Sequence, residues 1–413
     1  MGQIETGALA EWRRHTMLPI AGALGYATSV IYPFSIGAYI EPISKEFGWS
    51  RTLTTSGLTI ALLIQVIGSF PIGVLVDKIG PRMLAIAGMP LAILAFALLG
   101  TATGDAANWY FLWVLTGFAV LPILPPVWTG AVASRFNASL GLALAVTLCG
   151  ASVAAAIFPI ISAKMIELFG WRDAFAWHAG MWLLIAYPAI LLFFRGARDR
   201  RGTRAVRESQ AERREASGVT LAEGLRSSVY HRLLVANLMF AFAVLGLVVH
   251  FIPIVTDSGI GRLEAAGMAS LIGFVGIGGR LVTGLLLDRF RASIVGGCAV
   301  LLPVIGCLVL IATGVSPMGA MVAAAFIGLS LGAEVDVIAY ITTRHFGLKS
   351  FGALYGGLIS LIAAGTATGP LGAAGIYDFF GNYRPFIWLS VVLLATASLL
   401  LFSLPRPPAM YAT

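Results

Sequence analysis

The chain has 413 residues, of which 58% are hydrophobic and 11% charged, with a formal net charge of +8. That charge content is less than half the ~25% of soluble domains, so a string of soluble domains is excluded although the length would hold two or three. The basic excess does not by itself signal nucleic acid, because a membrane protein concentrates Lys and Arg in the loops of one face.

Windows of about 20 apolar residues recur, each long enough to cross a ~30 Å hydrocarbon core as a helix. Twelve spans are predicted, near 16–41, 54–76, 83–103, 108–133, 139–163, 174–194, 232–255, 265–287, 293–313, 317–342, 351–376 and 385–403. The first is too long for a removable signal, and no small-residue cleavage site follows it. Cys149, Cys298 and Cys307 lie in apolar segments without metal-ligand spacing and read as small hydrophobes. Placing both termini in the cytoplasm puts about 20 Lys and Arg in cytoplasmic segments and about six in outer loops. This is the asymmetry that the positive-inside rule requires, and it predicts a multi-pass protein of the cell inner (plasma) membrane.

Between spans 6 and 7 the character changes. The stretch from Arg195 to Arg232 carries ten of the 27 basic residues and five of the 19 acids. It reads as a cytoplasmic basic tether, residues 196–231, between an N-terminal six-helix bundle (1–195) and a C-terminal one (232–413). Inside it, Thr220-Leu-Ala-Glu223 has capping-box spacing and predicts a short amphipathic helix ahead of span 7.

The two bundles repeat one another. Gly73-Val-Leu-Val-Asp77-Lys78 recurs as Gly284-Leu-Leu-Leu-Asp288-Arg289 at an offset of 211 residues. Pro159 and Pro370, Phe169 and Phe380, and Phe175 and Phe386 keep the same offset, and Arg135 at the end of span 4 answers Arg344 at the end of span 10. Because each unit has an even number of spans, the copies run parallel, related by an axis along the membrane normal. The expected fold is an all-α membrane protein of twelve transmembrane helices in two parallel six-helix bundles, with a central cavity between the halves.

The loop after span 2 reads Gly73-Val-Leu-Val-Asp77-Lys78-Ile-Gly80-Pro-Arg82. It resembles the signature of the major facilitator superfamily, and the six-plus-six plan with a central loop resembles that family throughout. Physically, Gly73 lets helices approach, Asp77 faces a helix N-terminus and Gly80 permits a tight turn. The resemblance implies a cytoplasmic gating latch made of Gly73, Asp77, Lys78, Gly80 and Arg82, repeated at Gly284, Asp288 and Arg289, with Arg135 and Arg344 beside it.

Pro33 to Trp49, His250-Phe-Ile-Pro-Ile-Val-Thr-Asp257 and Gly276-Ile-Gly-Gly-Arg280-Leu-Val-Thr-Gly284 resemble the monocarboxylate porter and oxalate–formate antiporter branch. In that branch an Arg in span 8 binds the substrate carboxylate, which the resemblance maps onto Arg280. Animal monocarboxylate porters carry a Lys after the Pro of span 1, where this chain has Phe34. They also carry an Asp one turn before the span 8 Arg, where this chain has Gly276. The resemblance therefore transfers anion binding better than proton handling.

Arg280 is the one Lys or Arg inside a predicted span. An Arg at that depth costs about 2.5–3.5 kcal/mol on insertion scales, so it faces protein or water, and its planar fork suits a carboxylate. Glu334 and Asp336 lie inside span 10, where acids mark proton or ion paths. At 100° per residue they point about 200° apart and cannot share one cavity. Asp336 shares a stripe with Gly328 and Gly332, Glu334 with Ser330 and Ile338. Glu334 is favoured as the proton carrier, paired with Arg280 when the site is empty and released from it by the substrate. His250, Tyr26, Tyr32, Phe34 and Trp128 are candidate cavity residues, Trp128 following the helix-bending run Leu121 to Pro126.

The predicted function is secondary active transport of a small organic monoanion of monocarboxylate type, by proton symport and alternating access. A single charge follows from the absence of a second span-embedded cation. Organic-anion antiport and proton-coupled export of a cationic or drug-like compound are the alternatives. No Ser/His/Asp, Cys/His or metal-ligand cluster suggests an enzyme, and no metal or cofactor is expected. The predicted partners are the anion, protons and the lipid bilayer, with no nucleic acid, and the chain is expected to be a monomer.

Overall fold

The computed structural model describes residues 2–136, 139–195, 218–347 and 350–407. Most of the predicted tether lies outside them, as do the side chains at Asp77, Lys78, Asp288 and Asp336 and the surroundings of Gly73. The described residues are almost wholly helical: α1 (Gly2–His15), α2 (Met17–Ser29), α3 (Ile31–Phe47), α4 (Arg51–Ile79), α5 (Pro81–Leu98), α6 (Ala106–Val120), α7 (Pro125–Ala133), α8 (Leu140–Phe193), α9 (Leu221–Arg226), α10 (Ser228–Thr256), α11 (Arg262–Arg289), α12 (Ala292–Thr313), α13 (Pro317–Phe346), α14 (Phe351–Phe380) and α15 (Arg384–Phe402).

Eleven helical runs among these residues are long and apolar enough to cross a membrane. One of them, Leu142–Phe193, has 52 residues, or about 78 Å at 1.5 Å per residue, more than twice a ~30 Å core. Gly170 divides it, with φ 75° and ψ 162° inside the run. Glycine alone adopts that conformation without strain, so α8 is two spans and the total is twelve. Span 1 is α2 and α3 joined at Val30. Span 4 is α6 and α7, parted by a 3-10 turn at Leu121–Ile123. Pro122 and Pro125 cause that break, since neither supplies an N–H to the helical ladder. The carbonyl of Ile123 is left over, and Trp128 Nε1 (2.6 Å) and the Ser29 hydroxyl donate to it. A freed backbone group in a membrane helix thereby has its partners.

The described chain groups into two compact units, Met1–Trp49 with Ile60–Arg204 and Ser50–Thr59 with Ala205–Thr413. In the first, α2 packs on the first half of α8, where a Cβ at Gly150 would lie 2.1 Å from the Ala23 carbonyl oxygen. Helix α5 packs on the second half, where Tyr187 donates to the Ile86 carbonyl. In the second unit α10 packs on α14, with Gly369 against the Phe242 carbonyl, and α12 packs on α15, with Ser398 donating to the Gly297 carbonyl. Spans 1–5 and 3–6 of one unit thus answer spans 7–11 and 9–12 of the other. The repeat legible in the sequence is also a repeat of helix partners.

Helix α1 was not anticipated from the apolar windows, because its composition is polar. Its Glu11 accepts from Ser139 N (3.1 Å) and Ser139 Oγ (2.9 Å), which fixes it beside the start of α8. The capping box at Thr220 is present: Thr220 Oγ1 accepts from Glu223 N while Glu223 accepts from Thr220 N at 2.8 Å. A bridge between Gly218 and Gly347 and the Val219 N to Phe346 O bond tie this segment to the end of α13.

Candidate functional site

Helices α11 and α13 cross at backbone distance because glycines line the contact. A Cβ at Gly279 would lie 2.4 Å from Leu329 O, one at Gly328 2.4 Å from Ile272 O, and one at Gly332 2.1 Å from Gly276 O and 2.9 Å from Arg280 N. Small residues four apart are the membrane rule for such approach. The crossing sets Arg280, half-buried and about 13 Å from the C-terminal end of α11, level with Gly332. Two residues further along α13 stands Glu334. It is half-buried, with its Oε1 wholly enclosed and without a hydrogen-bond partner among the described residues.

The expected Glu334–Arg280 pair is not formed. Ion pairs among the described residues are Lys45–Glu41, Arg51–Asp257, Lys164–Glu167 and Arg172–Glu46. The reason is helical phase. Gly332 faces α11, and Glu334 is set about 200° further round, on the stripe of Ser330, whose Oγ is likewise buried without a partner. Asp336 follows Gly332 by one turn on the stripe nearest α11, and its side chain lies outside the described residues.

The other predicted residues fall in several places. Tyr32 and Trp128 are fully buried in the first unit. Tyr32 accepts a hydrogen bond from Gln65 and sits edge-on to Trp113, and the indole of Trp128 fills the space left by Gly25. Tyr26 and Phe34 are half-buried. Gly80 turns the chain with φ 84°, and Pro81 opens α5. Arg82 donates to the carbonyls of Phe194 (2.8 Å) and Leu191 (2.9 Å), closing the C-terminal end of α8. Arg135 and Arg344 are half-buried and Arg289 is exposed. At Gly284 a Cβ would meet nothing within 4 Å, so close packing does not explain that glycine.

His250 belongs to a cluster in the second unit that the sequence reading did not assemble. Arg51 opens α4, and its backbone N and that of Thr52 donate to the Asp378 carboxylate at 3.0 and 2.7 Å. The guanidinium donates to Asp257 at 2.7 Å and to Tyr383 Oη at 2.8 Å, and lies 3.7 Å from the centroid of the Tyr377 ring. Tyr383 Oη lies 2.6 Å from His250 Nδ1, and His250 Nε2 lies 2.9 Å from Pro370 O. A carbonyl only accepts, so Nε2 carries the proton and Nδ1 accepts from the phenol. Burial pushes the Tyr383 phenol above its ordinary value, against the pull of Arg51, so it stays a neutral donor. Thr59 Oγ1 donates to Ala367 O at 2.7 Å further in. One signal for this cluster was available: Asp257 and Asp378 both stand at helix C-termini, where an acid is unfavourable without a cation.

Repeated six-span units of apolar helices, with a charged pair of helices at a glycine crossing, define a multi-pass membrane protein of the transporter kind. The chain belongs to the Major Facilitator Superfamily, whose family model matches residues 20–356. It is 25% identical over 349 residues to MFS transporter asaE of Aspergillus flavus, covering 81% of this chain and 74% of that protein. It is 24% identical over 387 residues to Monocarboxylate transporter 3 of Rattus norvegicus (90% and 76%), and 24% over 298 residues to the 4-hydroxybenzoate transporter PcaK of Pseudomonas aeruginosa (65% of each). Among solved structures, a D-xylose–proton symporter superposes with a TM-score of 0.71 at 14% identity, covering 95% of this chain and 97% of that one. A bacterial homologue of the human lysosomal transporter Spinster, inward-facing and unoccupied, gives 0.69 at 17% identity (94% and 96%). The protein is a membrane transporter of small substrates.

Proposed function

We propose that the protein moves a small organic monoanion of monocarboxylate type across the cell's inner membrane, by proton symport and with alternating exposure of its site to the two faces. The observation that carries the reading is Arg280, held mid-span on α11 by the glycine crossing with α13, the helix that bears Glu334. Its guanidinium would take the substrate carboxylate as a two-pronged donor. Glu334, whose Oε1 has no hydrogen-bond partner among the described residues, would carry the proton. In this reading the two roles are separate: the substrate loads at Arg280 on α11 and the proton at Glu334 on α13, with no shared ion pair between them. Half-buried Tyr26 and Phe34 remain candidate wall residues, whereas Tyr32, Trp128 and His250 are committed to packing and hydrogen bonding.

Two relatives are named for carboxylate substrates and one structural neighbour for proton symport, which supports the reading. Both termini and the tether are assigned to the cytoplasm, and the chain acts as a monomer. The test is uptake of labelled monocarboxylates into proteoliposomes with and without an inward proton gradient. Gradient-driven accumulation is expected. Transport of cations but not of carboxylates would overturn the reading, and accumulation only against a preloaded second anion would replace symport with antiport.

A further inference from the structure

We infer that the second unit carries a site for one anionic glycerophospholipid, distinct from Arg280 and Glu334 but using Arg344 of the expected latch, at the tether-side ends of α11, α12 and α13. Two adjoining hollows make it. The first is a cup of about 200 Å³ bordered by Arg291, Ser293, Tyr340, Arg344 and His345. The second is a groove of about 370 Å³ whose walls include Val282, Leu286, Ile294, Cys298 and Leu302. Phe290, exposed to 59%, borders both.

The cup is built for an anion. Arg344 spends Nη2 on Tyr340 Oη at 3.0 Å, while its Nη1 is buried with no hydrogen-bond partner among the described residues. A buried guanidinium nitrogen without an acceptor is costly, and a phosphate oxygen is the acceptor that fits it. Arg291 is exposed at the opposite rim as the N-cap of α12, and its side chain makes no cap hydrogen bond. The first N–H groups of α12 therefore lack a side-chain cap, and Ala292 and Ser293 border the cup at the positive end of this 22-residue helix. His345 closes the floor, its ring nitrogens against the carbonyls of Ile341 and Pro405. No acid is among the described residues bordering either hollow.

The groove suits an acyl chain. Its described walls are apolar except for Thr283, and it runs from the cup along the length of α12 as far as Leu302. Leu281, Leu285, Leu301 and Ile305 stand exposed on the same two helices, as a surface in contact with hydrocarbon requires. On α11 the groove residues lie about a third of a turn round from Arg280 on average, and the groove reaches the Gly279–Leu329 contact of the crossing without including Arg280 or Glu334. A phosphate in the cup and a chain in the groove describe one molecule. Its leaflet is that of the tether, the face to which the basic loops point and where anionic lipids gather.

The test uses the full chain, purified in neutral detergent and stripped of lipid, with melting temperature and native mass spectrometry as readouts. Phosphatidylglycerol should stay bound and raise the melting temperature, while phosphatidylcholine with the same chains should do neither. Arg344→Gln should weaken phosphatidylglycerol binding about tenfold, as loss of one charge-assisted contact would. Ala299→Phe, which fills the groove and leaves every cup residue in place, should lose long-chain phosphatidylglycerol while sparing a six-carbon analogue. It also keeps the test alive if Arg344→Gln fails to fold. Equal stabilisation by the two lipids would overturn the site, and so would full stabilisation by glycerol phosphate alone.

Discussion

A Cβ at Gly332 would lie 2.1 Å from the carbonyl oxygen of Gly276, a separation that no side chain tolerates. The backbones of α11 and α13 are therefore in direct contact, and neither can yield without moving the other. Gly332→Ala should lower the melting temperature and membrane abundance, at an overpacking cost of about 1–3 kcal/mol. Gly284→Ala on α11, where nothing lies within 4 Å, should match or exceed the parent in stability. Equal behaviour of the two variants would remove the crossing as a determinant of the fold.

Arg280→Ala should abolish carboxylate uptake while leaving a folded protein in the membrane. Arg280→Lys keeps the charge but loses the fork, and should retain a fraction of the activity. The check is initial uptake rate at matched abundance. Near-parental uptake by the alanine variant would take Arg280 out of the binding site.

Glu334→Gln should still exchange substrate across the membrane but fail to concentrate it under a proton gradient. Asp336→Asn is the matched comparison, since residue 336 occupies the stripe nearest α11 and residue 334 the stripe set away from it. Concentrative uptake by Glu334→Gln together with uncoupled exchange by a well-folded Asp336→Asn would reverse the two assignments.

The Arg51 cluster makes a prediction about local order. Tyr383→Phe removes the one oxygen that Arg51 and His250 share, and Asp378→Asn removes the charge that accepts from the first N–H groups of α4. Each should raise hydrogen exchange in peptides covering 50–59 several-fold, with α12 unaffected, because opening is local when few bonds hold a helix end. Unchanged exchange at 50–59 in both variants would show that these bonds do not hold the segment.

What could be read in advance was what is local. Spans declare themselves by composition, the Thr220–Glu223 cap by spacing, the turn at Gly80 by residue type, and the duplication by an offset repeated at several positions. The stripes of Glu334 and Asp336 also followed from helical phase, and phase is why the imagined bond from Glu334 to Arg280 is missing. What escaped was long-range pairing. Arg51 is separated from Asp378 by more than 300 positions, and no pattern within either segment announces the other. Trp128 misled for a related reason: an aromatic after a proline break looks like a cavity wall until the stranded Ile123 carbonyl is seen to need a donor.

Gly170 has a mechanical consequence. The two spans it separates are joined by one non-helical residue, with no length of loop to take up slack. Helices coupled so tightly cannot slide apart at this end, although the glycine between them can still act as a hinge. Spans 5 and 6 then keep one shared end, between the half packed on α2 and the half packed on α5. A few flexible residues inserted after Gly170 would leave both spans in the membrane and free their shared end.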